Sequence, residues 1–240
     1  MEITEINNKK DYIKGSRFIG IGTTAVCFKR KDGRVFKLYI DTPNTYHLFQ
    51  SDMIERLSNI NNIMNDTYIG PEEVLVQDGK VIGYLYPYIG ANTLKYINRN
   101  ISIDQLFNSL DKLIEDTIDI SNKGFMLFDV HYKNILFDNR FYVIDLDKGH
   151  SVTYTDNLLN HNLKQIYQTI FDTIFRIKPW EIVFFNDRVL DTLYHKCRWD
   201  DKESLMELVD YLKFKTNKQD PTIKQLKRSI GYTKQRNDYY

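Results

Sequence analysis

Three polar side chains within one short stretch of the chain are suited to phosphate and metal chemistry. The stretch runs from Phe128 to Asp147 and reads FDVHYKNILFDNRFYVIDLD. In it, Asn134 follows Asp129 by five residues, and Asp145 comes later. A carboxylate accepts a proton, and carboxylate and amide oxygens are ligands for a hard divalent cation. The residue types therefore favour one proton acceptor, Asp129, and two ligands for Mg²⁺, Asn134 and Asp145.

A predicted β-hairpin brings the two candidate ligands together. Residues 135–137 and 141–144 read as strands, and Asp138-Asn139-Arg140 reads as the turn between them. Such a hairpin places Asn134 beside Asp145. Mg²⁺ suits this arrangement because it takes few protein oxygens and shares its other positions with phosphate and water. The alternative is an ordinary surface hairpin that is rich in Asp and Asn.

A glycine-rich stretch and a lysine-bearing strand precede this hairpin. Residues 16–40 predict three strands, and Gly20 and Gly22 lie in the first connection. Glycine lets backbone amides approach phosphate oxygens, because no Cβ keeps the ligand away. Lys37 lies inside the apolar third strand, VFKLY, where an unpaired ammonium is costly to bury and so needs an anion. Two alternatives remain: a β-bulge at the glycines, and a lysine that reaches the surface.

Over about Phe18 to Asp147, these motifs resemble the protein-kinase-like superfamily in type and order. The resemblance implies that Asp129 orients an acceptor hydroxyl and receives its proton. It also implies that Asn134 and Asp145 hold Mg²⁺. The chain is thus expected to use ATP and Mg²⁺ as cofactors.

The resemblance further implies where the nucleotide binds. Lys37 would hold the α- and β-phosphates of ATP, under a loop that contains Gly20 and Gly22. The segment YPYIG resembles the hinge between kinase lobes, where backbone groups bind the adenine edge. In this hinge Pro87 retains its carbonyl but has no N–H, and Ile89 retains both groups.

A predicted helix over Thr45–Met64 carries the expected partner of the lysine. Its apolar stripe follows the 3.6-residue period and consists of Met53, Leu57, Ile60 and Met64. In the kinase family a glutamate of this helix pairs with the lysine, and Glu55 is the candidate. Glu55 lies about 200° around the helix from Met53, however, so a regular helix would point it away from the apolar stripe. A solvated surface glutamate is therefore the alternative.

The implied fold is α+β, a bilobal protein-kinase-like fold with two unequal parts. Residues 1–88 are expected to form an antiparallel-sheet N-lobe with one helix, and residues 89–240 a small helical C-lobe. The C-lobe would carry the catalytic and metal-binding loops. Its predicted helices are Thr93–Arg99, Ile103–Ser121, Leu158–Arg176, Asn186–His195 and Asp201–Phe214. The polar, basic tail over 215–240 is interpreted as a solvated end, with a docking surface or a nucleic-acid contact as the alternatives.

Composition limits the location and the partners of the chain. Of 240 residues, 42% are hydrophobic and 27% are charged, as in ordinary globular proteins. The net charge of +1 does not favour nucleic acid as a main partner. The two cysteines, Cys27 and Cys197, form no zinc or disulfide pattern, which favours a reducing cytoplasm. The absence of a long apolar run predicts no membrane span.

The chain also departs from the kinase pattern. Where the family has His-Arg before the catalytic aspartate, this chain has Leu127-Phe128. Where the family has Asp-Phe-Gly, this chain has Asp145-Leu146-Asp147. No Ala-Pro-Glu follows, and the segment before the next predicted helix is short. Typical protein kinases carry a lysine two residues after the catalytic aspartate, and this chain has His131 there. This change resembles small-molecule kinases such as aminoglycoside and choline phosphotransferases. We expect His131 to contact the γ-phosphate or the acceptor, with a purely structural histidine as the alternative.

Three functional classes follow from these matches and departures. The leading expectation is a Ser/Thr protein kinase that moves the γ-phosphate of ATP to a hydroxyl acceptor. A small-molecule kinase is the second class, because His131, Asp147 and the short segment after Asp147 favour it. The third is a non-catalytic nucleotide-binding module on the same fold. The set of Lys37, Asp129, Asn134 and Asp145 argues against the third.

Overall fold

The computed structural model describes residues 1–40, 52–153, 155–175, 181–197 and 202–236. The fold is α+β, as expected, with an antiparallel-rich sheet in the first part of the chain and helices over most of the rest. The helices are α1 (Lys9–Ile13), α2 (Met53–Ile63), α3 (Ile103–Asn108), α4 (Leu110–Asn122), α5 (Asp156–Phe175), α6 (Arg188–Cys197), α7 (Lys202–Thr216) and α8 (Ile223–Ser229). Within these ranges, 3₁₀ turns cover Leu94–Tyr96 and Leu146–Lys148.

The strands of the first part form one six-stranded sheet in the order β1-β5-β6-β4-β3-β2. These strands are β1 (Glu2–Glu5), β2 (Arg17–Ile21), β3 (Ala25–Lys29), β4 (Arg34–Tyr39), β5 (Glu73–Gln77) and β6 (Lys80–Pro87). The later strands are β7 (Asn92–Thr93), β8 (Phe125–Met126), β9 (Ile135–Phe137), β10 (Phe141–Val143), β11 (His150–Ser151), β12 (Glu181–Phe185) and β13 (Tyr232–Arg236). Adjacent strands of the six-stranded sheet are antiparallel except β1 and β5.

The register of the six-stranded sheet positions the lysine. Lys37 on β4 lies opposite Cys27 on β3 and opposite Tyr84 on β6. Directly opposed residues of neighbouring strands point to the same face of a sheet. The three side chains therefore form a row across one face, and Lys37 is in its middle.

The opposite face of the sheet is covered by an N-terminal segment whose strand and helix are not predicted from the sequence. β1 pairs in parallel with β5, and Ile6 is buried with Phe36, Leu75 and Leu85. Tyr12 from α1 packs against this small core and meets the ring of Phe36 edge-on. The polar N-terminus thus contributes one buried aliphatic residue and one aromatic ring.

The helix α2 buries the face that its sequence predicts. Met53, Leu57, Ile60 and Ile63 are buried, while Met64 is only half-buried. The described part of this helix starts at Met53, so the predicted start at Thr45 lies outside the described residues.

Two helix predictions in the second part of the chain are wrong. Over Thr93–Arg99 the chain forms a short strand and a 3₁₀ turn, because Asn92–Thr93 pairs with β9. The single helix expected over Ile103–Ser121 is divided at Ser109 into α3 and α4. The Ser109 hydroxyl bonds to the carbonyls of Gln105 and Asn139, at 3.0 and 2.8 Å, and such local bonding competes with helix continuation.

The tail is also more ordered than expected, so the interpretation as a solvated end is wrong for residues 223–236. Thr222 caps α8 through a capping box with Gln225, which satisfies two terminal amides. Ile223, Leu226 and Ile230 are buried at a helical spacing. Beyond α8, β13 pairs with β12 in antiparallel register.

Within the described ranges, no helix combines the length and the apolar character that crossing a membrane requires.

Candidate active site

Lys37 is the centre of a buried charged cluster. Its side chain is only 6% exposed, and its Nζ contacts Asp145 Oδ1 and lies 2.7 Å from Asp147 Oδ2. Burial alone would lower the pKa of Lys37, but the carboxylates of Asp147 and Asp145 outweigh it and hold the pKa well above its ordinary value. The ammonium is therefore charged at neutral pH and paired within the protein.

The expected pairing of Lys37 with Glu55 is corrected by this cluster. Glu55 on α2 is exposed, whereas Met53 and Leu57 on the other side of the helix are buried. The helix is regular here, so its apolar stripe faces the core and Glu55 faces solvent. The buried carboxylate that pairs with Lys37 belongs to Asp147.

Asp147 is held by a second donor besides the lysine. It is 3% exposed, and its Oδ2 also accepts a hydrogen bond of 2.9 Å from the hydroxyl of Tyr39. Burial raises the pKa of Tyr39 well above its ordinary value, and the charge of Asp147 adds to this effect. The tyrosine thus remains a neutral donor, and Asp147 forms a fixed anchor beneath Lys37.

Asp145 lies where β10 gives way to the 3₁₀ turn. Its backbone is left-handed, with φ of 67°, and its side chain is 33% exposed. Burial by itself would raise the pKa of Asp145, but the charge and hydrogen bond of Lys37 lower it below the ordinary value. Asp145 is therefore an ionised carboxylate at an accessible point beside a buried ammonium.

Asn134 is tied by its own backbone and side chain to both neighbouring segments. Its Nδ2 donates to the Asp129 carbonyl at 3.1 Å, and its carbonyl accepts from the Ile144 amide at 2.9 Å. Since Ile144 immediately precedes Asp145, this second bond connects the loop to the candidate metal ligand. With Nδ2 engaged, the Oδ1 atom of Asn134 remains as a potential ligand.

Asn134 and Asp145 are the residues of this site that could hold a divalent cation, with one kind of oxygen ligand each. Among the described residues, no group of three or more His, Cys, Asp or Glu is arranged to hold a metal ion. One carboxylate, from Asp145, and one amide oxygen, from Asn134, match a metal that completes its coordination with phosphate and water.

Asp129 presents its carboxylate between two basic side chains. Its backbone is left-handed, with φ of 58°, and its side chain is 34% exposed. Lys148 Nζ lies 2.5 Å from Oδ2, and His131 Nε2 lies 3.6 Å from Oδ1. The Nδ1 atom of His131 accepts the Lys133 amide at 3.2 Å, so a neutral His131 carries its proton on Nε2, facing Asp129.

A buried asparagine on α5 holds the start of this loop. Asn162 Oδ1 accepts the Leu127 amide at 2.8 Å, and its Nδ2 donates to the Phe125 carbonyl at 2.8 Å and to Ser121 Oγ at 2.9 Å. Its neighbour His161 bonds the Leu127 carbonyl through Nε2 at 3.0 Å. These contacts fix the backbone two residues before Asp129.

The segment after Asp147 is short and packed against β8. β11 pairs with β8, and the Val152 amide donates to the Gly124 carbonyl at 2.7 Å. A Cβ on Gly149 would collide with the ring of Phe125, so the segment approaches β8 at a distance that only glycine permits. Phe128 stacks on His150 with ring centroids 4.8 Å apart.

Gly20 lies within β2 and not in the connection, where Gly22 lies, and both positions have open space where a side chain would project. The β2–β3 register shifts between Phe18 and Gly20, so an irregularity of the ladder lies there. A Cβ on Gly20 would meet no atom within 4 Å, and one on Gly22 would make only ordinary contact with the Ala25 carbonyl. Neither glycine has a positive φ. The fold of the described residues therefore does not itself require glycine at these two positions.

The hinge candidates lie at the end of β6. The Tyr88 amide is used by the sheet, because it donates to the Gly33 carbonyl at 3.0 Å. Backbone groups alternate in direction along a strand, so those of Pro87, which lies opposite Arg34, point away from β4. Ile89 follows the strand and is half-buried. The missing N–H of Pro87 thus costs the β4–β6 ladder nothing.

The structure brings Lys37 and Asp145 together, and separately Asp129, His131 and Asn134. Glu55 is outside both groups. The contacts of Asp147 with Lys37 and of Lys148 with Asp129 are not predicted from the sequence, although acidic residues at both Asp145 and Asp147 in an otherwise apolar run are a signal for a second buried carboxylate. Nothing in the sequence of α5 singles out Asn162 from its neighbouring asparagines.

A comparison with models of protein families finds none that matches the chain, and a comparison with curated proteins finds no match.

Proposed function

We propose that this chain is an ATP-dependent phosphotransferase with a bilobal protein-kinase-like fold, with lobes over residues 1–88 and 89–240. One observation carries the proposal. The buried Lys37 ammonium of the sheet contacts Asp145, which is 108 residues later and follows the hairpin. A buried cation beside a half-exposed carboxylate is suited to hold a nucleotide through its phosphates and its metal at once.

The residues of the site have separable roles under this proposal. Mg²⁺, held by Asp145 and Asn134, would neutralise phosphate charge. Lys37 binds the α- and β-phosphates, and Asp147 keeps the ammonium in place through its 2.7 Å contact. Asp129 orients the acceptor hydroxyl and takes its proton, and the His131 Nε2 proton faces the same carboxylate.

The open glycine connection supports the same function. Gly20 and Gly22 leave space that the protein does not fill, so phosphate oxygens can approach their backbone, while the Gly22 amide itself donates to the Ala25 carbonyl at 2.8 Å. Pro87 and Ile89 would offer backbone groups to the adenine edge. These four positions remain proposals of nucleotide contact.

A Ser/Thr protein is the first acceptor class, and a small hydroxyl compound is the second. The second is favoured by the strand pairing of His150–Ser151 with β8 so soon after Asp147. This pairing leaves little chain between the site and α5 to form a platform for a peptide.

Labelled ATP and Mg²⁺ test the proposal against both acceptor classes. The full chain is incubated with a protein mixture in one arm and with a panel of small hydroxyl compounds in the other. We expect label transfer in one arm, and none in either arm with the Asp145→Asn protein. Tight ATP binding without transfer in both arms would instead favour a non-catalytic nucleotide-binding module, and no ATP binding would refute the proposal.

A further inference from the structure

The cation beside Asp129 comes from a different segment than the catalytic loop. Lys148 is the last residue of the 3₁₀ turn that follows Asp145, and its Nζ reaches back over 19 residues to Asp129 Oδ2. The turn thus connects the proposed metal ligand to the proposed proton acceptor.

Two neighbouring residues of this turn point to different parts of the site. Asp147 is buried under Lys37, which fixes the backbone of the turn. The side chain of Lys148 is 51% exposed. Its ammonium therefore extends from a turn that the Asp147–Lys37 contact holds, and it remains accessible to a ligand.

The contact of Lys148 with Asp129 contributes little to the stability of the fold. Both side chains are substantially exposed, and exposed ion pairs contribute little because water screens them. Such a pair rearranges easily when a ligand with its own charge enters. The stability of the fold therefore does not depend on this ion pair, and Lys148 is available for a role in the site.

The phosphoryl group that passes beside Asp129 requires a positive charge there. Both ring nitrogens of His131 are already engaged, because Nδ1 accepts the Lys133 amide and Nε2 faces Asp129 Oδ1 at 3.6 Å. A lysine ammonium is charged at neutral pH and offers three donors. Lys148 is the ammonium in contact with Asp129 Oδ2.

We propose that Lys148 is a catalytic residue that binds the transferring phosphoryl group, an inference that rests on the proposed phosphotransferase function. The acceptor oxygen forms a bond to the γ-phosphorus, and the bond to the bridging oxygen breaks, so that its electron pair leaves with ADP. The acceptor proton passes to Asp129. Lys148 leaves Asp129 Oδ2, remains an ammonium throughout, and donates hydrogen bonds to the phosphoryl oxygens.

The test compares Lys148→Met and Lys148→Gln, which remove the charge, with Lys148→Arg, which keeps it. Lys123→Met is the matched control, because Lys123 forms a similarly exposed pair with Asp119 at 2.9 Å on α4. Loss of a donor to a transition-state charge lowers kcat by about 100-fold or more. We expect such a fall in kcat for Lys148→Met and Lys148→Gln, with ATP affinity unchanged. We expect Lys148→Arg to recover much of kcat, and Lys123→Met to leave it unchanged.

A second readout uses ADP, Mg²⁺ and aluminium fluoride, which together mimic the transferring phosphoryl group. We expect Lys148→Met to lose most of the extra affinity that fluoride confers while it binds ADP like the wild type. A wild-type rate for Lys148→Met would overturn the role of Lys148 alone. A parallel loss of ATP affinity and rate would also overturn it, because Lys148 would then be a ground-state ligand. A wild-type protein that neither binds ATP nor transfers phosphate would refute the proposed function itself.

Discussion

Asp147 accepts a 2.7 Å contact from Lys37 across 110 residues of chain. Asp147 is only 3% exposed, so this pair is shielded from the water that weakens surface ion pairs. The anchor of the lysine therefore lies on the same 3₁₀ turn as Lys148 rather than on α2. Helix α2 packs against this turn, so it borders the anchor of Lys37 without supplying the carboxylate.

The first prediction compares the two candidate partners of the lysine. Asp147→Asn removes the buried negative charge, so Lys37 should turn further toward Asp145 and hold phosphate less well. We expect ATP affinity to fall by about 10-fold or more, since charged hydrogen bonds contribute about 1.5–3 kcal/mol each. Glu55→Gln should bind ATP like the wild type. Calorimetric titration of both variants with ATP compares their affinities. An equal loss of ATP affinity for Glu55→Gln would show that Glu55 is a partner of Lys37.

The second prediction concerns the metal. Asp145→Asn keeps the size of the side chain but removes the charge that would hold Mg²⁺, so phosphate repulsion is left uncompensated. We expect weaker binding of ATP in the presence of Mg²⁺ and no detectable transfer. Asp138→Asn, in the exposed turn of the same hairpin, is the control and should be fully active. Normal turnover by the Asp145→Asn protein would refute the assignment.

The third prediction separates binding from chemistry. Asp129 contacts the acceptor rather than the nucleotide under our proposal, so Asp129→Asn should retain ATP affinity while transfer falls by about 10²–10⁴-fold. An interaction made mainly in the transition state has this kinetic signature. If ATP affinity fell together with the rate, Asp129 would have to be a nucleotide ligand.

The fourth prediction concerns the support of the catalytic loop. Asn162→Ala leaves the buried Leu127 amide and Phe125 carbonyl without their side-chain partner, and each unsatisfied group costs about 1–3 kcal/mol. We expect the free energy of unfolding to fall by about 2–6 kcal/mol, as measured by urea titration. Asn160→Ala replaces an exposed asparagine of the same helix and should change the free energy of unfolding by less than about 0.5 kcal/mol. Equal stability of the two variants would contradict this role of Asn162.

Local patterns predicted the elements that carry the site better than the contacts between them. The β9–β10 hairpin and the lysine strand follow from alternation and turn residues within about ten positions, and both form where expected. The partner of Lys37 depends on how distant segments pack. Spacing on α2 shows that Glu55 is off the apolar stripe, but it does not identify Asp147 as the replacement.

The tail shows a second limit of local patterns. The basic residues between 215 and 236 suggested a solvated end, yet three aliphatic side chains at helical spacing, Ile223, Leu226 and Ile230, are buried. Burial of these few side chains outweighs the charge of the segment, because the lysines and arginines can remain on the solvent side of α8. The β12–β13 pairing joins residues about 50 positions apart and is not visible in either strand alone.

The fifth prediction is that the proposed phosphotransferase activity does not require phosphorylation of the segment over 148–157. In many protein kinases an arginine beside the catalytic aspartate pairs with a phosphorylated activation loop and orders it. Here that neighbour is Phe128, which stacks on His150 and can form no ion pair. The segment is already held without phosphate, because β11 pairs with β8 and Val152 bonds to Gly124.

Phosphatase treatment of the purified protein tests this prediction, with the phosphorylation state confirmed by mass spectrometry. We expect treated and untreated proteins to transfer phosphate at the same rate. Ser151→Ala and Thr153→Ala should likewise retain the wild-type rate, because both side chains are exposed and a phosphate on either would lack an arginine at position 128 to pair with. A large fall in rate after treatment, reversed by rephosphorylation within residues 148–157, would contradict the prediction. It would show that a cation elsewhere binds the phosphate group and that the order of this segment depends on that phosphate.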